Sequence, residues 1–367
     1  MSSPRKQRRR GENAGHWAAF AALFCLANPC PTPAQTAAAP AVGLQTDVQF
    51  DRYSELSHND ALIDRLLSPL AADSVRKKLS ASGQRMAEQP VDLKTERFAL
   101  YVPPRRPPGG YGLLVFVPPW SDARAPPSWT SVLDRYGVIF VSAAQSGNDA
   151  KVISRRAPLA LIAARNVTAR YPVDPERVYI GGFSGGSRVA MRIAVSFPDL
   201  FAGALLDAGS DPLGEDGTPP PPGALLERFQ AQSRVVIITG SKDDNVLSTD
   251  AQATQSMTRW CAFNVTSKVA PWIGHDLIGA DALSQGLAWL DTKAPANTDR
   301  LAACRKALEN ELDAGIERVG RQISSGHRDV ARQQIYALDK RFGGFAGDRL
   351  VKLAEDCGCM GTDPVPN

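Results

Sequence analysis

Apolar positions along the chain change rhythm twice, and each change marks a different kind of element. Over residues 55–88 (ELSHNDALIDRLLSPLAADSVRKKLSASGQRMAE) they recur at helical spacing, broken at Pro69, which predicts a helical preface. From Glu96 the apolar residues close up into short runs. "ERFALYVPP", "YGLLVFVPPW" and "YGVIFVSA" predict three strands, the second continuously apolar, as a strand covered on both faces should be. "APLALIAARNVTARY" returns to helical spacing, and Val178, Tyr179 and Ile180 then form a short strand running into "GGFSGG". Val189, Ile193 and Phe197 follow at i, i+4 and i+8 on one helical face, closed by Pro198. Beyond them lie strands "AGALLDAG" and "RVVIITGS", a helix around Thr249 to Trp260, and strand "FNVTSKVAP". The last helix of the series, "ADALSQGLAWL", carries Leu283, Leu287 and Leu290 on one face.

Strands separated by helices predict an α/β domain built on a mostly parallel, doubly wound sheet, with ligands at the carboxyl ends of the strands. After Asp291 the pattern becomes purely helical again. Leu301, Leu308, Leu312, Ile316, Val319 and Ile323 keep one register, and Val330, Ile335 and Leu338 predict a second helix before "FGGFAG". The expected organisation is a signal peptide over 1–38, an N-terminal helical segment over 39–94, the α/β domain over 95–294 and a small C-terminal helical appendage over 295–367. A lone helical hairpin of this kind is expected to serve packing rather than recognition. The proline-rich "GTPPPPGALL" at 217–226 reads as a surface loop, in a place where an insertion over a site could lie.

Charge alters the reading of the N-terminus. Arg5, Lys6, Arg8, Arg9 and Arg10 precede the eleven-residue apolar run Trp17 to Ala27 and then a small, polar stretch, the layout of a secretory signal peptide cut near Thr36 to Ala39. The run is too short to span a bilayer, and Pro29 before Cys30 argues against a lipoprotein signal. The whole chain carries a formal charge of +4, but the leader holds five basic residues and one acid, so the mature protein is close to neutral. The basic excess belongs to export. No nucleic-acid partner is expected, and no membrane association after cleavage. A secreted or periplasmic location follows, and in that oxidising setting Cys261, Cys304, Cys357 and Cys359 predict two disulfides. Cys357 and Cys359 are close enough in sequence that each is expected to reach a different partner, making Cys261 a staple between the main domain and the tail.

The chemistry centres on Gly182-Phe183-Ser184-Gly185-Gly186, a G-x-S-x-G pentapeptide between a predicted strand and a predicted helix. A serine hydroxyl needs a base within hydrogen-bond reach and an acid to orient that base. Of four histidines, His16 falls in the leader, His58 in the preface and His327 in the tail. His275, in "PWIGHDLIGAD" after a strand, is the candidate base. Asp243 closes a strong strand in "VVIITGSKDDNV" and is the preferred acid over Asp244 and Asp207. The order Ser184, Asp243, His275 is that of an α/β-hydrolase triad. The bland alternative is a serine that caps the following helix.

An oxyanion hole needs two N–H groups, and Gly185 supplies one. Pro118 and Pro119 have none to give, so Trp120 is the first residue of its turn able to supply the other. Phe183 and Trp272 are candidate apolar walls for the substrate. With no H-E-x-x-H and no phosphate-loop lysine, no cofactor or metal is expected.

"DPERVYIGGFSGGSRVAMRIAVSFPDLFAGAL", with "GSKDDNV" and "GHD", resembles the secreted esterase branch of the α/β-hydrolases, which includes polyhydroxybutyrate depolymerases and feruloyl or acetylxylan esterases. The resemblance covers roughly residues 95–292. It implies the α/β-hydrolase fold, an exported serine esterase acting through an acyl-enzyme on a small or polymeric ester, and catalytic roles for Ser184, Asp243, His275 and Gly185. The sequence departs from that family at Pro118-Pro119, where these enzymes usually read His-Gly. A serine peptidase of the same fold, or a binding protein on a decayed hydrolase scaffold, remains open at this point.

Overall fold

The computed structural model describes residues 41–214, 218–292 and 298–359; the expected leader over 1–38 lies outside them. Eight strands form one sheet: β1 (Gly43–Val48), β2 (Phe98–Val102), β3 (Tyr111–Val117), β4 (Val138–Ala143), β5 (Val173–Phe183), β6 (Gly203–Asp207), β7 (Arg234–Gly240) and β8 (Val265–Ala270). Their spatial order is β1-β2-β4-β3-β5-β6-β7-β8. The pairs β1–β2 and β2–β4 are antiparallel and every other pair is parallel. Both β3, the run read as continuously apolar, and β4 are buried along their whole length near the middle of the sheet, because helices cover both faces there.

The helices are α1 (Asn59–Leu66), α2 (Pro69–Ala81), α3 (Thr130–Tyr136), α4 (Ala157–Arg170), α5 (Gly185–Ser196), α6 (Gly223–Gln232), α7 (Asp244–Arg259), α8 (Ala280–Leu290), α9 (Thr298–Ser324), α10 (Arg328–Phe342) and α11 (Arg349–Cys357). Pro69 opens α2 rather than breaking a helix, since its missing N–H costs nothing at the first helical position and the Ser68 hydroxyl accepts from Ala71 N. One face of the sheet carries the larger core, with Leu113, Val115, Ile180 and Leu206 packed against Leu161, Ile193 and Phe197. The other holds Leu114, Phe116, Phe140 and Tyr179 under Trp129, Leu283 and Leu287.

Three expectations are revised. The segment before the sheet domain is not wholly helical, because Gly43–Val48 pairs with β2 as an edge strand. The proline run is not a free surface loop: Pro220 and Pro221 are buried, and Pro220 O accepts from Gly344 N of the tail. A Cβ on Gly344 would lie 2.5 Å from Pro222 N, so only glycine admits this contact. Third, Cys357 and Cys359 do not each reach a separate partner: they lie beside each other, their Cα atoms 5.0 Å apart across the turn at Gly358 (φ 63°), while Cys261 pairs with Cys304.

The appendage packs directly onto the main core. Leu301, Leu308, Leu312 and Phe342 join the cluster that contains Leu226, Phe229 and Trp260. The Cys261–Cys304 disulfide, with Cα atoms 5.8 Å apart, ties the end of α7 to α9, so Cys261 joins main domain and tail as expected. The two helical flanks also meet each other: Leu70 packs with Val319, Ile335 and Ala354, and the buried Asp339 carboxylate accepts from Ser68 Oγ and Leu70 N.

Candidate active site

Ser184 sits between β5 and α5 with φ 54° and ψ −124°. This left-handed conformation costs a non-glycine residue of order 1–3 kcal/mol, so the surroundings must impose it. They do so from two sides. Ser184 N donates to Asp207 O at the end of β6, 2.8 Å away. Beneath the turn, a Cβ on Gly182 would collide with Gly186, and one on Gly186 with Val117 O. Gly182 and Gly186, the first and last residues of the pentapeptide, are therefore required by close backbone approach.

The serine does not cap its helix through its side chain. Its Oγ lies 2.8 Å from His275 Nε2. His275 Nδ1 in turn lies 2.7 Å from Asp243 Oδ2. With Nδ1 protonated toward the carboxylate, Nε2 is left as the acceptor for the serine proton. The Asp243 side chain is 2% exposed and that of His275 46%, so the acid is sealed while the base opens to solvent. Asp243 follows β7 and His275 follows β8, and both come to the same rim as Ser184 because all three strands run parallel.

Among the acids weighed, Asp244 opens α7, with no hydrogen bond to the histidine among the described residues. Asp207 does different work. Its backbone O holds the serine turn, and its Oδ2 accepts from Ile278 N, 3.0 Å away, in the loop that carries His275. Burial, with lesser contributions from Asp250 and Asp243, pushes its carboxyl well above the usual carboxylate range, against the lowering bond from Ile278.

The Phe183 ring lies 5.2 Å from the His275 ring and 6.2 Å from the Trp120 ring, forming one aromatic wall. Trp120 is further covered by the Arg124 guanidinium, 4.3 Å from its ring. Trp272, in contrast, stands in solvent at 82% exposure, with Lys242 5.4 Å from its ring. Gly185 begins α5, where its N–H has no carbonyl partner within the helix, and Trp120 closes the turn after β3.

Two features of the site escaped the sequence reading. The turn after β4, Ala144 to Asp149, is stapled to the turn after β3: Gln145 N donates to Ser121 O at 2.6 Å and Asn148 N to Pro119 O at 3.1 Å. Beneath both lies a π-helical turn, Val152–Arg156. From it Arg155 Nε donates to Gln145 O at 2.7 Å, while the buried Arg156 donates from Nε to Ser146 O and from Nη2 to Pro118 O. Burial brings the Arg156 guanidinium down to about 10, which leaves it charged at neutral pH. The only available signal was two consecutive arginines in a segment short enough to reach both turns.

A serine on a strained turn after β5, an acid after β7 and a histidine after β8, on a sheet whose second strand is antiparallel, decide the architecture. The chain has the α/β-hydrolase fold. No family profile matches it. A stretch of 99 residues, covering 23% of this chain, is 29% identical to a poly(3-hydroxybutyrate) depolymerase of Ralstonia pickettii. Another of 44 residues, covering 12%, is 43% identical to a poly(3-hydroxyalkanoate) depolymerase C of Paucimonas lemoignei. These stretches span only 20% and 11% of the two relatives' own lengths. Among solved structures, a poly(3-hydroxybutyrate) depolymerase from Bordetella parapertussis is 20% identical with a TM-score of 0.39, over 57% of this chain and 88% of that one. An acetyl xylan esterase from Aspergillus awamori is 15% identical with a TM-score of 0.40, over 53% and 94%. Among the described residues no helix is long and apolar enough to cross a membrane, and no group of three or more His, Cys, Asp or Glu is placed to hold a metal ion.

Proposed function

We propose that the protein is an exported serine hydrolase that cleaves carboxylic esters. The observation that carries this reading is the unbroken hydrogen-bond chain Ser184–His275–Asp243 on a strained turn. Ser184 Oγ attacks the ester carbonyl while His275 Nε2 takes its proton, and the carbonyl electron pair moves to oxygen. As that oxyanion collapses, the bond to the alkoxy group breaks, and His275 returns the proton to the departing alcohol. Water, deprotonated by the same imidazole, then releases the acid from the acyl-enzyme. Asp243 holds the imidazole tautomer and stabilises the imidazolium, and the backbone N–H groups of Gly185 and Trp120 receive the oxyanion.

The substrate class is an aliphatic ester, including the polyesters that the two partial relatives are named for. The exposure of His275 supports this breadth, since the reacting atoms lie at the surface where a chain could cross them. Export is supported by the leader pattern and by the Cys261–Cys304 disulfide, a bond that forms and persists chiefly in oxidising compartments. The test is hydrolysis of p-nitrophenyl esters of increasing acyl length and of a poly(3-hydroxyalkanoate) suspension, with Ser184→Ala as the blank. Turnover by wild type at least 10³ above the blank is expected. Equal rates for the two proteins would overturn the proposal.

A further inference from the structure

Pro118 and Pro119 cannot donate a backbone N–H, which leaves Trp120 as the first backbone donor of the turn after β3. The structure brings a second turn to the same place. The backbone of Asn148 is held by Pro119 O, and Gly147 packs so closely on Trp120 that a Cβ there would lie 2.9 Å from the Trp120 carbonyl carbon. This docking lays the Asn148 side chain over Gly185. A Cβ on Gly185 would collide with Asn148 Oδ1 and come within 2.9 Å of its Cγ and 3.0 Å of its Nδ2. The amide therefore occupies the space beside Gly185, the residue whose N–H is assigned to the oxyanion. Among the described residues its nitrogen and oxygen make no hydrogen bond, so both N–H groups of Nδ2 are available. A half-turn about χ2 exchanges Nδ2 with Oδ1 at no cost in packing.

We propose that Asn148 is a catalytic residue that completes the oxyanion hole, its side-chain amide donating to the oxyanion alongside Gly185 N–H. This rests on the ester-hydrolase reading. The amide adds a side-chain donor beside the single early backbone N–H, that of Trp120, that the two prolines leave to this turn, and its position is built rather than incidental. Arg155 and Arg156 clamp the carbonyls of Gln145 and Ser146, and Arg156 ties the same turn to Pro118 O. A donor fixed before the reaction costs no reorganisation when the charge appears, which is the condition for a large effect on rate.

The experiment measures p-nitrophenyl acetate hydrolysis by wild type, Asn148→Ala, Gly185→Ala, the double variant and Ser184→Ala. Loss of one oxyanion donor lowers kcat by roughly 10²–10³. Asn148→Ala is expected to show that loss with KM changed less than about threefold, an unchanged pH–rate profile and an unchanged Tm, since the side chain is exposed. A methyl at Gly185 pushes the amide aside, so Gly185→Ala alone should cost about as much. In the Asn148→Ala background, where the methyl has room, it should cost less than about fivefold. Asn148→Ala retaining more than a third of wild-type kcat, or two fully multiplicative losses, would overturn the proposal while wild-type turnover above Ser184→Ala leaves the hydrolase reading standing. Wild-type turnover no higher than Ser184→Ala would overturn both.

Discussion

Cutting the Cys261–Cys304 staple should lower stability without touching catalysis. The bond closes a loop of 43 residues between the end of α7 and α9. In the chain-entropy account, closing such a loop removes about 13 cal/mol/K from the unfolded ensemble, or about 4 kcal/mol at 25 °C. At roughly 2.1 cal/mol/K per residue, a body of this size has an unfolding entropy of about 0.65 kcal/mol/K, so the loss corresponds to a fall in Tm of about 6 °C. Catalysis should be spared because α7 separates the two features: Asp243 caps its N-terminus and Cys261 lies beyond its other end, with 16 helical residues, about 24 Å, between them. The assay is differential scanning calorimetry of wild type and a Cys261→Ala/Cys304→Ala variant at one scan rate, with kcat measured at 25 °C. A Tm within 1 °C of wild type, or Cys261 recovered as a free thiol in a non-reducing peptide map, would refute the staple. A tenfold fall in kcat well below both melting points would refute the separation of tail from site.

Further outcomes follow from the buried acids. Asp243→Asn keeps the shape of the site but no longer fixes the imidazole tautomer, so ester turnover at pH 7 should fall by about 10⁴ with Tm nearly unchanged; a loss under tenfold would remove Asp243 from its role. Asp207 holds its proton more tightly folded than unfolded, so its contribution is intact below the unfolded value near 4 and is lost as pH rises toward the folded value. Asp207→Asn, which mimics the neutral carboxyl, should therefore gain stability over wild type between pH 4 and pH 8 in urea titrations; a gap that does not grow with pH would contradict this assignment.

The parallel core was readable because burial on both faces leaves an unmistakable sequence trace, as in Leu113 to Val117 and Val138 to Val141. Edge strand β1 was not, because "GLQTDV" is mostly exposed and its pairing with β2 is a tertiary fact. The short α3, with seven residues, and α6, which starts directly behind four prolines, carry too few periodic positions to stand out. Helix α11 was missed because its apolar face packs on α2, an element almost three hundred residues earlier. The proximity of Ser184, His275 and Asp243 was legible since each candidate followed its own strand and only one histidine lay in the sheet domain. Asn148 was invisible for the opposite reason. Nothing in "AQSGNDA" signals chemistry until Asn148 N bonds Pro119 O, with Arg156 holding the neighbouring Ser146 and Pro118 carbonyls, and the amide comes to lie over Gly185.

The most direct measurement is labelling of the folded protein with a fluorophosphonate, followed by mapping of the modified peptide. The account predicts a single stoichiometric adduct on Ser184, lost in Ser184→Ala and slowed at least a hundredfold in His275→Ala. A folded protein left unmodified at Ser184, or labelled there equally fast without the imidazole, would contradict it.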